Sequence, residues 1–425
     1  MNVKILHITN HPGTILNANQ IATYINNSPA SRIQLKITIH PWQHPYYINK
    51  SLADEIFKSF SDVIIRYDML LFTDTPMCAR PFLQNLAAHT CGVIVYIPNR
   101  FDWGIWGFED AEFYTLFRDV SLAEDGGGRV QFIADNQYDI YYAQHKANMK
   151  FAFGAECVRL TPRIYEFSES SITNWNAVGE NTSSDNMMKL FIQDRGTPIR
   201  EYNHILDTRG IRYDVFDTNH RYRDRAHIAE YLGVLHLPYQ VNIQTLMENL
   251  GAGIIHFLPS ETFFRHLLAT EGWYYWEERH RDEHLLEKSI QLAEWYSPVL
   301  APCFVYFDSW DDLRAKYQHA LTPVGRCELL EKQQSILNLV MRLNDENIAK
   351  WQCLFQAFIK VRPTVVSMFY NIRRMDNDVS DWHRAEATYY KLAAEFILRL
   401  PLPLVVCMEP DNTELFDIVM KTREQ

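Results

Sequence analysis

What this 425-residue chain lacks narrows its class before any motif is considered. No apolar run approaches the roughly 20 residues that a membrane-spanning helix needs. The N-terminus, "MNVKILHITNH", enters a strand pattern directly, without the apolar stretch and small-residue cleavage site of a secretory signal. A soluble, cytoplasmic protein with no membrane span is expected. Basic charge is also short: 41 Lys and Arg against 52 Asp and Glu give a net −11. That argues against a nucleic-acid partner, which calls for a basic domain or stripe. It leaves room for a phosphate ligand, because charges more than a Debye length of about 8 Å away are largely screened. The cysteines Cys78, Cys91, Cys157, Cys303, Cys327, Cys353 and Cys407 stand singly, with no CxxC and no Cys/His cluster. They read as free thiols in a reducing compartment, not as a disulfide framework. No G-x-G-x-x-G turn follows a strand, since neither "TNHPGT" nor "QDRGTP" supplies one, and this sets aside a dinucleotide oxidoreductase or epimerase. An Asp-x-Asp metal pair is missing too, because Asp74 in "FTDTP" is followed two positions on by Pro76. The acidic "DSWDD" reads as a helix start with Asp or Ser as its cap. No metal site is expected.

What is present is apolar and periodic. At 47% hydrophobic and 13% aromatic residues, the chain can bury a large core over two to three domains. Residues 1–165 alternate strands ("VKILHIT", "RIQLKITIHP", "YDMLLFTD", "GVIVYIP", "RVQFIADN") with helices of 10–15 residues. This alternation indicates a parallel sheet covered on both faces. The polar stretch "YEFSESSITNWNAVGENTSSD" marks a boundary, and a second α/β series fills 166–362. That series ends in one long amphipathic helix, stopped at Arg362-Pro363. Residues 363–425 hold strand, helix, strand, helix, a partial α/β segment that either docks on the rest or opens a further domain.

Within the second series, "HLPYQVNIQTLMENLGAGIIHFLPS" reads as a turn, a short helix, a glycine stop and a buried strand. Ile243, Leu246, Met247 and Leu250 fall on one helix face, and Glu248 falls off it. A helix opening near Asn242–Thr245 presents unpaired amides and the positive end of its dipole, an anion site suited to a diphosphate. A carboxylate one to two turns later can reach back to ribose hydroxyls, and Glu248 is so placed. An ion-paired or solvent-facing glutamate is the plainer alternative.

Two Rossmann-like halves, a polar linker and a long closing helix resemble the GT-B glycosyltransferases. The 235–260 segment resembles the retaining, glycogen-synthase-like (family 4-like) group. Those enzymes carry a Glu, seven residues and a second Glu, followed by a Gly-x-Pro-hydrophobic strand. Here Glu248 matches the second acid and Gln240 stands at the first. Gln can donate and accept hydrogen bonds but supplies no negative charge near an oxocarbenium-like transition state. The resemblance implies an α/β fold with a cleft between two parallel-sheet domains, the acceptor in the first and the donor in the second. It implies a sugar passed from a UDP- or GDP-linked donor to a glycan or protein hydroxyl, without metal or other cofactor. A non-catalytic nucleotide-sugar or glycan-binding module is the alternative. On the donor side it points to Arg195 and Gly196 in "QDRGTPIRE", and to Tyr239, Gln240, Asn242, Gln244, Thr245 and Glu248. On the acceptor side are His11 and Gly13 in "HITNHPGT", and Asn99, Arg100, Asp102 and Trp103 in "YIPNRFDWGIWGFED". Asp102 is the candidate general base should the reaction invert. The tail, with its "TVV" and "PLVV" strands, resembles the opening of the HtrL/YibB-like bacterial envelope glycosyltransferases.

Overall fold

The computed structural model describes residues 2–29, 31–45, 47–73, 75–97, 101–102, 104–105, 110–122, 129–147, 188–193, 199–217, 222–360, 365–369 and 404–408. The first lobe contains β1 (Asn2–Ile8), α1 (Pro12–Asn27), β2 (Gln34–His40), α2 (Lys50–Ile64), β3 (Met69–Phe72), α3 (Arg80–Gln84), β4 (Gly92–Ile97), α4 (Ala111–Leu122), β5 (Val130–Ala134) and α5 (Gln137–Ala147). The second contains β6 (Leu190–Gln193), α6 (Ile199–Thr208), β7 (Tyr213–Phe216), α7 (Arg225–Ala229), β8 (Gly233–Leu235), α8 (Gln244–Gly251), β9 (His256–Pro259), α9 (Glu261–Thr270), α10 (Glu283–Gln291), β10 (Phe304–Phe307), α11 (Trp310–Ala320) and α12 (Pro323–Lys360). Each lobe is built on a five-stranded sheet, ordered β2-β1-β3-β4-β5 and β10-β9-β8-β6-β7. Every pairing in both sheets is parallel. Counted from its own first strand, the second sheet repeats the 2-1-3-4-5 order of the first. In such sheets the order reverses between the first and third strands, and ligands sit beyond the carboxyl ends there.

The composition of the strands explains their position. All six residues of β4, "GVIVYI", are buried, as befits a central strand covered on both faces. The helices carry single apolar stripes. In α2 the buried set is Ala53, Ile56, Phe57, Phe60 and Ile64, and Asn49 caps the start by accepting from Leu52 N. Ser309 caps α11 in the same way, accepting from Asp312 N, as "DSWDD" suggested.

Three stretches fold in short pieces. The "ARPFLQNLAAHT" stretch is not one helix of 10–15 residues: a 3-10 turn at Pro76–Ala79 leads into the short α3, which stops at Asn85 before a second turn at Leu86–Ala88, with Pro76 and Pro81 both at element starts. The charged "NHRYRDRAHIAEYL" contains α7, which starts because Asp224 caps it through His227 N. The aromatic stretch at 273–284 is a 3-10 turn, Trp276–His280, closed by Arg281 at φ 50° before Asp282 caps α10.

Helix α12 ties the lobes together. It begins in the second lobe, where Gln333 Nε2 donates to Gly253 O at 3.1 Å. Its last turns bury Trp351, Leu354, Phe355 and Phe358 against Val3, Ile5, Ile94 and Tyr96 of the first sheet. Gly92 must lack a side chain here, because a Cβ would overlap the Phe358 ring. In the tail, β11 (Val365–Phe369) and β12 (Leu404–Met408) pair in parallel.

Candidate active site

The carboxyl ends of the two sheets meet. In the first lobe, β1 runs into Thr9, His11 and the start of α1, and β3 runs into Thr73 and Thr75. Thr9, Thr73 and Thr75 are buried. His7 Nε2 lies 2.6 Å from Thr73 Oγ1. His11 itself is exposed and serves as the N-cap residue of α1 without a side-chain capping bond. Pro12 occupies the first turn, and no acidic residue does.

Helix α8 faces it from the second lobe. The sequence placed this helix start correctly, and the stripe of Leu246, Met247 and Leu250 is buried as the spacing required. Its N-cap, Ile243, offers no side-chain acceptor, and its first turn is likewise free of acids. A Cβ on Gly13 would stand 2.5 Å from Gln244 Nε2, so the first turns of α1 and α8 are in van der Waals contact across the lobes. Two helix starts, each the positive end of its dipole, thus converge on one point.

A second contact lies beside the first. Asn242 Nδ2 donates to Asp139 Oδ2 at 2.9 Å and to Asp135 Oδ2 at 3.1 Å. Asp135 directly follows β5, and its other oxygen accepts from Tyr96 OH at 2.6 Å. Asp139 sits in the first turn of α5. Gln240 Nε2 donates to Asn242 O at 2.6 Å. The expected donor ligands Gln240 and Asn242 therefore spend these groups on each other and on the opposite lobe. At the far end of α5, His145 Nε2 meets Asp282 Oδ2 at 3.2 Å.

Glu248 is ion-paired. Its Oε2 receives Arg225 Nη2 at 2.7 Å, with both side chains about a quarter exposed (22% and 26%). The plainer reading of this residue is the geometry seen, and the pair still faces partly into solvent. Asp102 is buried, and both its oxygens are occupied: Tyr142 OH donates to Oδ1 at 2.8 Å and Tyr114 OH to Oδ2 at 3.1 Å. Burial, followed by the Asp102 charge, pushes both phenols far above the ordinary tyrosine value, so they remain protonated donors. This carboxylate anchors its loop. The candidates Asn99, Arg100, Trp103, Arg195 and Gly196 lie outside the described residues.

Tyr239 and Thr245 line a cavity of about 20 Å³ at the reversal point of the second sheet, together with Gln193, His236, Asn249 and His256. That volume accommodates a water molecule or two. Among the described residues, His256 Nδ1 and Nε2, His236 Nε2 and Asn249 Oδ1 have no hydrogen-bond partner there. Burial lowers both imidazoles below the usual histidine range, and His236 lowers His256 further, so the rings are neutral near pH 7. Sequence reading passed over His236 and His256, although a histidine inside the apolar "GVLHLP" and "GIIHFLP" is a visible anomaly. Asp135, Asp139 and Arg225 carried no such signal.

Two parallel sheets meeting at their carboxyl ends, with a terminal helix returning to the first, is the GT-B arrangement. The chain has that fold. No family model matches it, and no curated protein matches it. Among solved structures it is similar to the calicheamicin glycosyltransferase CalG4, at 8% identity and a TM-score of 0.40, covering 85% of this chain and 100% of that one. It is also similar to a UDP-N-acetylglucosamine 2-epimerase described for Listeria monocytogenes, at 10% identity and a TM-score of 0.36, covering 76% and 96%. A third is UDP-GlcNAc 2-epimerase from Neisseria meningitidis bound to UDP-GlcNAc, at 11% identity and a TM-score of 0.32, covering 81% and 99%. Likeness at this level carries no assignment of activity. No described helix is long and apolar enough to cross a membrane.

Proposed function

We propose that this chain binds a nucleoside-diphosphate sugar between its lobes and transfers the sugar to a hydroxyl of a glycan or glycoprotein. The observation that carries the reading is the convergence of α1 and α8, uncapped and without first-turn acids, at Gly13 and Gln244. A diphosphate lodged there accepts hydrogen bonds from the α8 amides, and its charge is stabilised by two dipoles at once. Such donors stabilise the leaving diphosphate without a metal ion. Glu248 accepts from the ribose hydroxyls, and Arg225 holds its carboxylate in place. Arg195 is the candidate for a bidentate grip on the phosphates. UDP is the first donor nucleotide to test, and GDP the second.

A non-catalytic binding module is the second reading, favoured by two observations. Gln240 donates to a backbone carbonyl, and Asp102 has both oxygens engaged by phenols. Neither is set up as a free acid or base.

The test is a thermal-shift screen of the full chain with UDP, GDP and their sugars. A ligand at about a hundred times its dissociation constant adds about 2.7 kcal/mol of stability. Glu248→Ala should lose most of that shift. A null result with every nucleotide overturns the donor site, and a full shift in Glu248→Ala overturns the ribose role. Donor hydrolysis or transfer separates the enzyme from the binding module.

A further inference from the structure

We propose that Gln240 and Asn242 form a latch that seats α8 against the first lobe, and that position 240 requires an amide donor, not an acid. The link to donor binding rests on the function proposed above; the latch itself does not.

Three bonds run in series. Gln240 Nε2 donates to Asn242 O at 2.6 Å, fixing the backbone of that residue. The Asn242 amide nitrogen has two hydrogens and two acceptors, Asp135 Oδ2 and Asp139 Oδ2. Asn242, Asp135 and Asp139 are 6%, 4% and 2% exposed, so these bonds do not compete with bulk water. The next residue, Ile243, is the N-cap of α8. The latch therefore fixes the height and tilt at which α8 presents its amides, one residue from the Gln244–Gly13 contact.

A carboxylate at 240 breaks the series. Ionised, it has no hydrogen to give, and it sets a negative oxygen against the Asn242 carbonyl. It also joins a segment already held by Asp135, Asp139 and Glu277, whose Oε1 accepts from Val241 N at 3.1 Å. Protonated, the same carboxyl regains an O–H to donate. Gln240 is on this account a positioning residue.

The experiment compares the full-length wild type, Gln240→Glu and Asn242→Ala at about pH 8 and about pH 5.5, where a carboxyl crowded by other acids takes up a proton. Lobe separation is read by small-angle scattering without ligand, and UDP affinity by calorimetry, each variant against wild type at the same pH. At the higher pH, Gln240→Glu should be more extended and bind UDP about tenfold more weakly, the loss of one partly buried hydrogen bond. Both deficits should shrink at the lower pH. Asn242→Ala should show them at both, with no recovery in acid. A merely structural residue predicts no recovery, and an acid that contacts the sugar predicts the reverse, a gain at the higher pH. Gln240→Glu with a wild-type profile and affinity at pH 8 overturns the latch. Should wild type bind no UDP, the donor reading fails and the scattering alone decides.

Discussion

His7→Gln should make the first lobe less sensitive to acid. His7 lies in β1 at 0% exposure, and burial lowers its pKa from 6.5 to about 4. Its Nε2 faces Thr73 Oγ1 at 2.6 Å, a contact a glutamine amide can keep without titrating. The imidazole is neutral in the folded state, whereas the unfolded chain takes up a proton at the ordinary value of about 6.5. Below that value the unfolded state binds more protons, so stability is lost as pH falls from about 6.5 towards 4 and is intact above it. The loss is about 2 kcal/mol at pH 5 and approaches about 3.4 kcal/mol below pH 4. Against a typical stability of about 5–15 kcal/mol, that is a large fraction. Urea unfolding of wild type and variant, followed by tryptophan fluorescence between about pH 7.5 and 5, isolates the effect as a difference. His236 and His256 impose a dependence of the same sign, but both proteins carry them and they cancel. The wild type should lose about 2 kcal/mol more than the variant across that range. Parallel pH profiles would refute the assignment of His7 as a buried neutral imidazole.

Further outcomes follow from the interlobe contacts. Asn242→Asp sets a third carboxylate against Asp135 and Asp139, where a charge about 3 Å away repels by about 5 kcal/mol at an effective dielectric of 20. Proton uptake limits the damage to about 4 kcal/mol at pH 7, shrinking by about 1.4 kcal/mol per unit as pH falls, which thermal melts at two pH values will show. Gly92→Ala should cost about 1–3 kcal/mol through overlap with the Phe358 ring. Phe358→Leu should recover part of that in the double variant, and an unchanged melting temperature in Gly92→Ala alone would contradict the docking of α12.

Much of the fold was legible because each sheet announces itself locally. A strand such as "GVIVYI", buried on both sides, must be apolar throughout, and a helix such as α2 must alternate with period 3.6 to cover it. Those constraints act over a few residues, so they survive in the linear pattern. The break at Asn85 is harder to read, because the apolar spacing of "ARPFLQNLAAHT" persists through it even though the backbone does not continue as one helix. The course of α12 was different. Its apolar stripe shows that one face is buried, but nothing in it distinguishes the second lobe, where the helix begins, from the first sheet, where Trp351 and Phe358 end up.

The candidate site divides along the same line. The start of α8 was readable, since a glycine stop, an apolar face and a polar first turn are local features. The partners of its polar residues were not, because they come from elsewhere in the chain: Asp135 and Asp139 lie more than a hundred positions from Asn242, and Arg225 lies 23 before Glu248. A polar side chain at a sheet's carboxyl end has two physically distinct uses, to hold a ligand or to hold the site's own backbone. Only the identity of its acceptor separates them. For Gln240 the acceptor is a carbonyl two residues away. A carboxylate has no hydrogen to give that carbonyl, so the amide at position 240 holds the site's own backbone.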